Sequence, residues 1–356
     1  ELKQFYRSEQ RPLVTKTPIP RWDLLALKHY VTMPLQYSRG CPFNCEFCDI
    51  IVMNGRVPRV KTPLQLIAEL ESLLDAGWTE SIFIVDDNFI GNKVKVKALL
   101  RELIPWRKRR DFRNPFTTEA SLNVVDDAEL LDLLVQAGFK KLFIGIESPV
   151  DESLAECAKV QNTKRNLVEA VQTIQSAGIE VMGGFIVGFD NDPPSIFERQ
   201  LRFIQESGIV TAMVGLLTAL PETRLFDRLK KEGRMLSHST GNNLDAVLNF
   251  IPRLDREVLI EGYRNLVKNL YSPKQYYGRI RQFLRTYRPT GPRMRLQPCD
   301  VRAFFKSLWT LGVRTRGRIE YWKFMARTLL THPKAFSEAM SLAIVGYHFR
   351  QVAAGI

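Results

Sequence analysis

The sequence predicts an α/β fold: a six-unit (β/α)6 partial TIM barrel with a C-terminal basic helical domain. Three observations predict it. One unit recurs along the middle of the chain, an amphipathic segment that ends in a small residue and Gly and runs into a short apolar segment. Those apolar segments are near-continuous, as expected of parallel strands covered on both faces. The charge also changes abruptly near Pro252: residues 253–356 hold 20 Lys/Arg against 6 Asp/Glu, whereas residues 1–252 hold 31 against 32. The composition, 45% apolar and 25% charged over 356 residues, excludes a disordered or fibrous chain. No apolar run reaches the ~20 residues of a membrane span.

Residues 1–32 read as a linker. The chain opens at Glu1 rather than Met, as a piece of a longer protein would. The first strand is MPLQYS (33–38). Thr62-Pro63-Leu64-Gln65 then reads as a capping box with Pro at the first helical position. That helix ends at Ala76-Gly77, ahead of the strand IFIV (82–85). FTTEAS (116–121) is the third strand. The joints Ala137-Gly138, Ala177-Gly178 and Ser207-Gly208 precede KLFIGI (141–146), IEVMGGFIVG (179–188) and IVTAMVGLL (209–217). Gly past a helix end adopts the left-handed cap without a Cβ penalty. Six such units, between about residues 33 and 232, are too few to close the usual barrel, so the sheet stays open. Alternating β and α segments make it parallel. The barrel spans 33–235 and the helical domain 236–356. In the latter, Arg256–Leu270, Pro273–Thr286, Asp300–Leu311 and Arg318–Leu330 read as helices, with a break at Arg288-Pro-Thr-Gly-Pro292.

In such folds chemistry sits at the C-terminal strand ends. The unusual residues lie there: Cys41 to Cys48, Asp86-Asp87-Asn88, Glu119, Glu147-Ser148 and Gly188. Three of five cysteines crowd into Cys41-Pro-Phe-Asn-Cys45-Glu-Phe-Cys48, a C-x3-C-x2-C loop. Thiolates are soft ligands for zinc or iron–sulfur clusters. Structural zinc wants four ligands, and no fourth Cys or His lies nearby in sequence. Three thiolates on a cubane leave one corner open to a small molecule. A zinc site completed by a distant residue and three ordinary buried thiols are the alternatives. Phe43 and Phe47 would shield a cluster. Cys157 and Cys299 read as plain thiols, and His332 and His348 as lone surface residues.

This motif, with an aromatic before its last Cys and a six-unit βα sheet around it, resembles the radical S-adenosylmethionine (SAM) enzymes over about residues 33–235. The resemblance implies that Cys41, Cys45 and Cys48 hold a [4Fe–4S] cluster whose open iron chelates SAM. Reductive cleavage of SAM would then give a 5′-deoxyadenosyl radical, with a flavodoxin or ferredoxin as electron donor. Asp86-Asp87-Asn88 occupies the position of the family's Gly-Gly-Glu-like contact to the methionine ammonium. A helix cap near Lys93 is the bland alternative. Glu119, Glu147 and Ser148 would contact ribose, methionine or substrate, or else the carboxylates make salt bridges to a neighbouring Arg or Lys. Gly184 and Gly188 match the segment that lies against adenine. Leu220-Pro221-Glu222-Thr223 falls where relatives often carry Pro-Gly-Thr, and Glu222 puts a Gly-dependent turn in doubt.

The strings QYSRGCPFNCEFCDI, GRVPRVKTP, VDDNFIGN, TEASLN and GFIVGFD resemble the cobalamin-binding group of that family, with an uncharacterised C-terminal helical region. That resemblance implies a cobalamin domain ahead of the linker Thr17-Pro-Ile-Pro-Arg-Trp-Asp23, and methylation of an unactivated carbon on a small-molecule or hydrophobic, lipid-like substrate. Cyclisation, oxidation or RNA modification by the same radical chemistry is the alternative enzyme reading. A non-enzymatic zinc or iron–sulfur protein that docks RNA or lipid is another. The basic tail carries 15 of the 36 aromatic residues and is open to three readings. It is a helical cap with a solvated basic face, a peripheral anchor to an anionic membrane with Trp309, Trp322 and Phe324 dipping in, or a nucleic-acid surface. The expected location is cytoplasmic, or peripheral at the inner membrane face.

Overall fold

The computed structural model describes residues 2, 10–239, 241, 247–290 and 298–355. The elements up to the barrel's end are β1 (Thr32–Leu35), β2 (Ser38–Arg39), α1 (Ile50–Met53), β3 (Arg59–Val60), α2 (Pro63–Asp75), β4 (Ser81–Ile84), α3 (Lys93–Arg109), β5 (Phe116–Glu119), α4 (Ala128–Gln136), β6 (Phe139–Glu147), α5 (Asp151–Glu156), α6 (Leu167–Ser176), β7 (Glu180–Val187), α7 (Ile196–Ser207), β8 (Ala212–Leu216) and α8 (Arg224–Lys231). Then come α9 (Arg256–Leu270), α10 (Pro273–Thr286), α11 (Pro298–Trp309), α12 (Arg318–Thr331) and α13 (Phe336–Gly355).

Six strands form one sheet in the order β1-β4-β5-β6-β7-β8, every neighbouring pair parallel. Spatial order follows chain order, so the crossovers wind one way and the sheet curves into a partial barrel. The predicted joints are real. Gly77, Gly138, Gly178 and Gly208 have φ of +94°, +85°, +92° and +72°, where a Cβ would be strained.

The strand faces differ from expectation. In β6, Leu142, Ile144 and Ile146 are buried under helices, while Lys141, Phe143 and Gly145 on the other face are only half-buried. The inner face of the barrel is open. The first strand is also shorter than predicted. It leaves the sheet after Leu35 because Asp86 takes the next amides, accepting from Tyr37 N at 2.7 Å and Ser38 N at 2.9 Å. The chain continues into the small antiparallel hairpin β2–β3.

Only half of the predicted capping box forms. Thr62 Oγ1 accepts from Gln65 N at 3.2 Å, but the Gln65 amide turns outward and donates to Val14 O and Thr17 O. It anchors the linker instead of the helix start. At the barrel's end Glu222 sits at φ +63°, so the left-handed turn persists without its Gly. Thr223 then caps α8 by accepting from Phe226 N. Glu222 is exposed, so Glu222→Gly should relieve strain and raise the unfolding free energy by about 0.5–1 kcal/mol, read from denaturant midpoints.

The C-terminal helices share one contiguous core with the barrel. Arg279 on α10 is fully buried. It donates to Leu270 O at 3.0 Å and Val210 O at 3.1 Å, and lies 5.2 Å from the Tyr276 ring centroid. One of the tail's cations is therefore a staple between α10 and the segment entering β8. Phe324, expected at a membrane, is instead fully buried and stacks on Tyr277 at 5.0 Å. The predicted Asp300–Leu311 helix is α11, followed by a π turn at Thr310–Arg314. The break predicted at 288–292 runs partly outside the described residues, as does the side chain of Cys299. The helix α13 was not anticipated. Its Gly346 lies against Tyr276, whose hydroxyl donates to Leu342 O at 2.7 Å.

Candidate active site

The cysteine loop is fixed from three sides. It starts at Gly40, whose φ is +106° and whose missing Cβ would meet Gly55 O at 2.9 Å. Gly40 N donates to Asp87 at 2.8 Å, and Cys41 N to Gly55 O at 3.2 Å. On the far side Glu46 N donates to Cys157 O at 2.8 Å, and Leu225 N to Glu46 O at 3.0 Å. Arg224 donates to Asn44 O at 3.0 Å. Arg228 then forks onto the Glu46 carboxylate at 2.7 and 3.1 Å while also holding Asp190 at 2.8 Å. The N-terminal turn of α8 thus clamps the loop onto the barrel's last unit.

All three loop cysteines are free thiols, Cys45 buried and Cys41 and Cys48 half-buried. Burial pushes the Cys45 thiol up, and Cys48 up to about 11; Cys41 and Cys45 add to the shift at Cys48. The three sulfurs therefore lie near enough to act on one another. A bound cation would offset the cost of ionising the buried Cys45 and Cys48 thiols. Among the described residues no three His, Cys, Asp or Glu side chains converge on a single ion. Three soft thiolate donors on one loop are a donor set that fits an iron–sulfur cluster. Phe47 packs 6.2 Å from Phe189 over the loop.

The carboxylates after β4 face the loop. Asp86 is buried, and its oxygens accept from Tyr37 N, Ser38 N and Ser38 Oγ, the last at 2.7 Å. Asp87 accepts from Gly40 N and from the Asn54 amide at 3.0 Å. The Asn88 amide lies 3.8 Å from Cys41 Sγ and donates to Ser121 Oγ at 3.2 Å. None of the three caps α3; Asn92 does so, accepting from Lys95 N. Burial pushes the Asp86 carboxyl up to about 7, against its hydrogen bonds to Ser38 and Tyr37. The folded state then holds a proton that the unfolded chain releases nearer pH 4. Stability should fall as pH rises from about 4 through 7. The thermal midpoint measured across that range should lose this slope in Asp86→Asn.

Glu119 ends β5 half-buried, with no hydrogen bond or ion pair among the described residues. Burial and the nearby Asp87 raise its pKa. Glu147 is different. It sits at φ +66°, next to the irregularity between Gly145 and Glu147, and is paired with Lys159 Nζ at 2.7 Å. The structure thus realises the salt-bridge alternative at this position. Ser148 is buried and accepts from Val150 N at 3.3 Å. Gly184 lies beside Gly145 in the β6–β7 register, and its missing Cβ would touch Phe143 at 3.0 Å. Gly188, at φ +109°, donates to Asp192 at 2.8 Å in the turn after β7.

Several site residues gave little sign of themselves in the sequence. Lys159 lies twelve positions past its partner. Arg228 looks like one more cation on an amphipathic helix. Gly215, on the same face of β8 as the exposed Met213, has open space where its Cβ would be. Gly215 leaves the inner face of β8 bare, whereas the Glu147–Lys159 pair fills the place of a Cβ at Gly145 and the Phe143 ring lies against Gly184.

Residues 35–204 match the family model described as the radical SAM superfamily. Residues 223–356 match a domain of unknown function, DUF4070. An uncharacterised methyltransferase of Synechocystis sp. is 43% identical over 97% of this chain and 65% of its own. The hopanoid C-2 methylase of Rhodopseudomonas palustris is 35% identical over 91% and 62%. The chain thus spans less than two thirds of the length of these relatives. Among solved structures, the radical SAM methyltransferase TsrM from Kitasatospora setae, with cobalamin and a [4Fe-4S] cluster bound, superposes with a TM-score of 0.57 at 17% identity. The match covers 91% of this chain and 62% of that one. At that identity the likeness concerns the fold.

Proposed function

Because the chain belongs to the radical SAM superfamily, we propose that it binds a [4Fe–4S] cluster on Cys41, Cys45 and Cys48, with SAM at the open iron. We propose further that it acts with cobalamin as a C-methyltransferase on a hydrophobic, lipid-like substrate. One observation carries this reading: three free thiols at C-x3-C-x2-C spacing sit on one loop after the first strand, near enough to one another that Cys41 and Cys45 both act on Cys48. When bound, the cluster with SAM supplies hydrogen-atom abstraction from carbon, and cobalamin supplies the methyl group.

This chain's own residues bind and orient. Asp87 holds the start of the cysteine loop through Gly40 N, and Asn88 ties Cys41 to the end of β5. Glu119 is the carboxylate free to accept from the methionine ammonium or a ribose hydroxyl. Asp86 supports that pair by fixing the turn of Tyr37 and Ser38. Glu147 and Ser148 shape the top of β6, with the Glu147 charge balanced by Lys159. Gly184 and Gly215, without side chains of their own, let a purine approach the inner face beside Phe143, and Gly188 turns the chain away above it. A flavodoxin or ferredoxin supplies the electron, and the protein works peripherally at the inner face of an anionic membrane.

Gly215→Leu tests the flat floor. A Cβ there meets nothing within 4 Å, so the denaturant midpoint should stay within about 0.5 kcal/mol of wild type. SAM binding by equilibrium dialysis should fall at least about tenfold. The chemistry itself is tested with anaerobically reconstituted protein, SAM carrying a labelled methyl group, cobalamin and a reductant. Formation of 5′-deoxyadenosine supports the radical reading, and label in an extracted lipid supports methylation. Deoxyadenosine without label transfer would move the assignment to another radical reaction.

A further inference from the structure

Two helices of the C-terminal region each carry two apolar stripes, and only one stripe of each is used. On α11 the inner stripe includes Phe304, 6.2 Å from Phe336. Ser307 on the same side contacts the Tyr321 hydroxyl at 3.1 Å, joining α11 to α12. The outer stripe runs through Val301, Phe305 and Trp309, at i, i+4 and i+8. Phe305 and Trp309 are 63% and 61% exposed. On α12 the inner residues Tyr321, Phe324 and Thr328 are buried. The outer stripe, at i, i+3 and i+11, runs through Ile319, Trp322 and Leu330, the last 82% exposed. Trp322 sits against the π turn that follows α11, where its indole donates to Gly312 O at 2.9 Å. Between residues 298 and 334 there are eight Lys/Arg against Asp300 and Glu320. Arg302 and Lys306 flank the first stripe, and Lys323 and Arg327 the second.

We infer that the outer face of the α11–α12 hairpin docks in the plane of an anionic phospholipid membrane. The aromatic and aliphatic side chains enter the headgroup–acyl boundary and the flanking cations meet lipid phosphates. The mixture of groups selects this partner. Ile319 and Leu330 offer nothing to a nucleic-acid backbone or a base, yet gain by leaving water. A second copy of this chain would set one cationic face against another. No described helix is long and apolar enough to cross a membrane, so the contact is in-plane. The inference rests on the peripheral-membrane part of the reading above and not on its chemistry.

The test is flotation of the whole protein, without cluster loading, on vesicles of phosphatidylcholine with about one third phosphatidylglycerol, against pure phosphatidylcholine. Wild type should partition into the anionic vesicles at least about tenfold more strongly, weaken as salt rises, and show a blue shift of Trp emission. Phe305→Ala with Trp309→Ala should lose about tenfold of this partitioning with an unchanged thermal melt, because both side chains are exposed. Lys323→Glu with Arg327→Glu should lose the preference for anionic vesicles. Equal recovery on both vesicles, or double variants that float like wild type, would overturn the assignment. So would salt-sensitive binding to single-stranded RNA with no flotation, or a dimer broken by the same variants with no flotation. Because cluster chemistry plays no part in flotation, a failure here leaves the methyltransferase reading intact, and the reverse also holds.

Discussion

Alanine at Cys41, Cys45 or Cys48 is expected to reduce iron in anaerobically reconstituted protein from about four atoms per chain to a small fraction of that. Each thiolate would bind a separate iron of the cluster. Cys157, near enough to Cys45 for the two to interact electrostatically, is buried, donates to Leu154 O, and has its own carbonyl engaged by Glu46 N. Cys157→Ala should therefore keep its iron, which makes it the internal control. The thermal melt of the three apo variants should match apo wild type closely, since the loop is held by backbone contacts and by Arg228 rather than by the sulfurs. Iron and sulfide analysis checks the first part, and calorimetry of the apo proteins checks the second.

The second large effect is expected at Arg228. Its guanidinium joins the cysteine loop at Glu46, α5 at Glu156, the turn after β7 at Asp190, and its own helix at Glu232. Glu46 and Asp190 have side chains only 8% exposed. Arg228→Met leaves Glu46 without its partner in a poorly solvated position, while Asp190 retains Arg234. Breaking such a pair costs roughly 3 kcal/mol. The variant should unfold at lower denaturant by about that amount and retain less iron on gel filtration. Arg228→Lys should recover little, because an ammonium cannot fork onto one carboxylate while reaching a second. Full recovery by Lys would mean that charge alone, and not the fork, holds the loop.

The barrel was legible because its signals are local. Helix-ending Gly at Gly77, Gly138, Gly178 and Gly208 announces four of the six strands, and the C-x3-C-x2-C spacing announces the site. What stayed hidden depends on contacts distant in sequence. Nothing near Gln65 says that its amide will tie down the linker rather than cap α2. The tail's 20 Lys/Arg look alike on paper, yet Arg279 is a core staple while Arg302 lies on the surface. The helix α13 is apolar on nearly all sides, so no polar stripe marks it; its Leu342, Ala343 and Gly346 pack inward. The carboxylates at the strand ends were found by their oddity in apolar surroundings. Which are free and which are paired, Glu119 against Glu147, was settled only by where Lys159 lies.

Three sulfurs holding a cluster with one iron left open to SAM should leave a mark on the spin signal of the reduced protein. Electron paramagnetic resonance of the reduced, reconstituted protein, recorded with and without SAM, tests it most directly. A [4Fe–4S]+ spectrum whose g-values move when SAM is added is expected, because the methionine amino and carboxylate groups of SAM would join the open iron. A cluster spectrum indifferent to SAM, or a protein that fills the same thiols with zinc and takes up no iron, would contradict it.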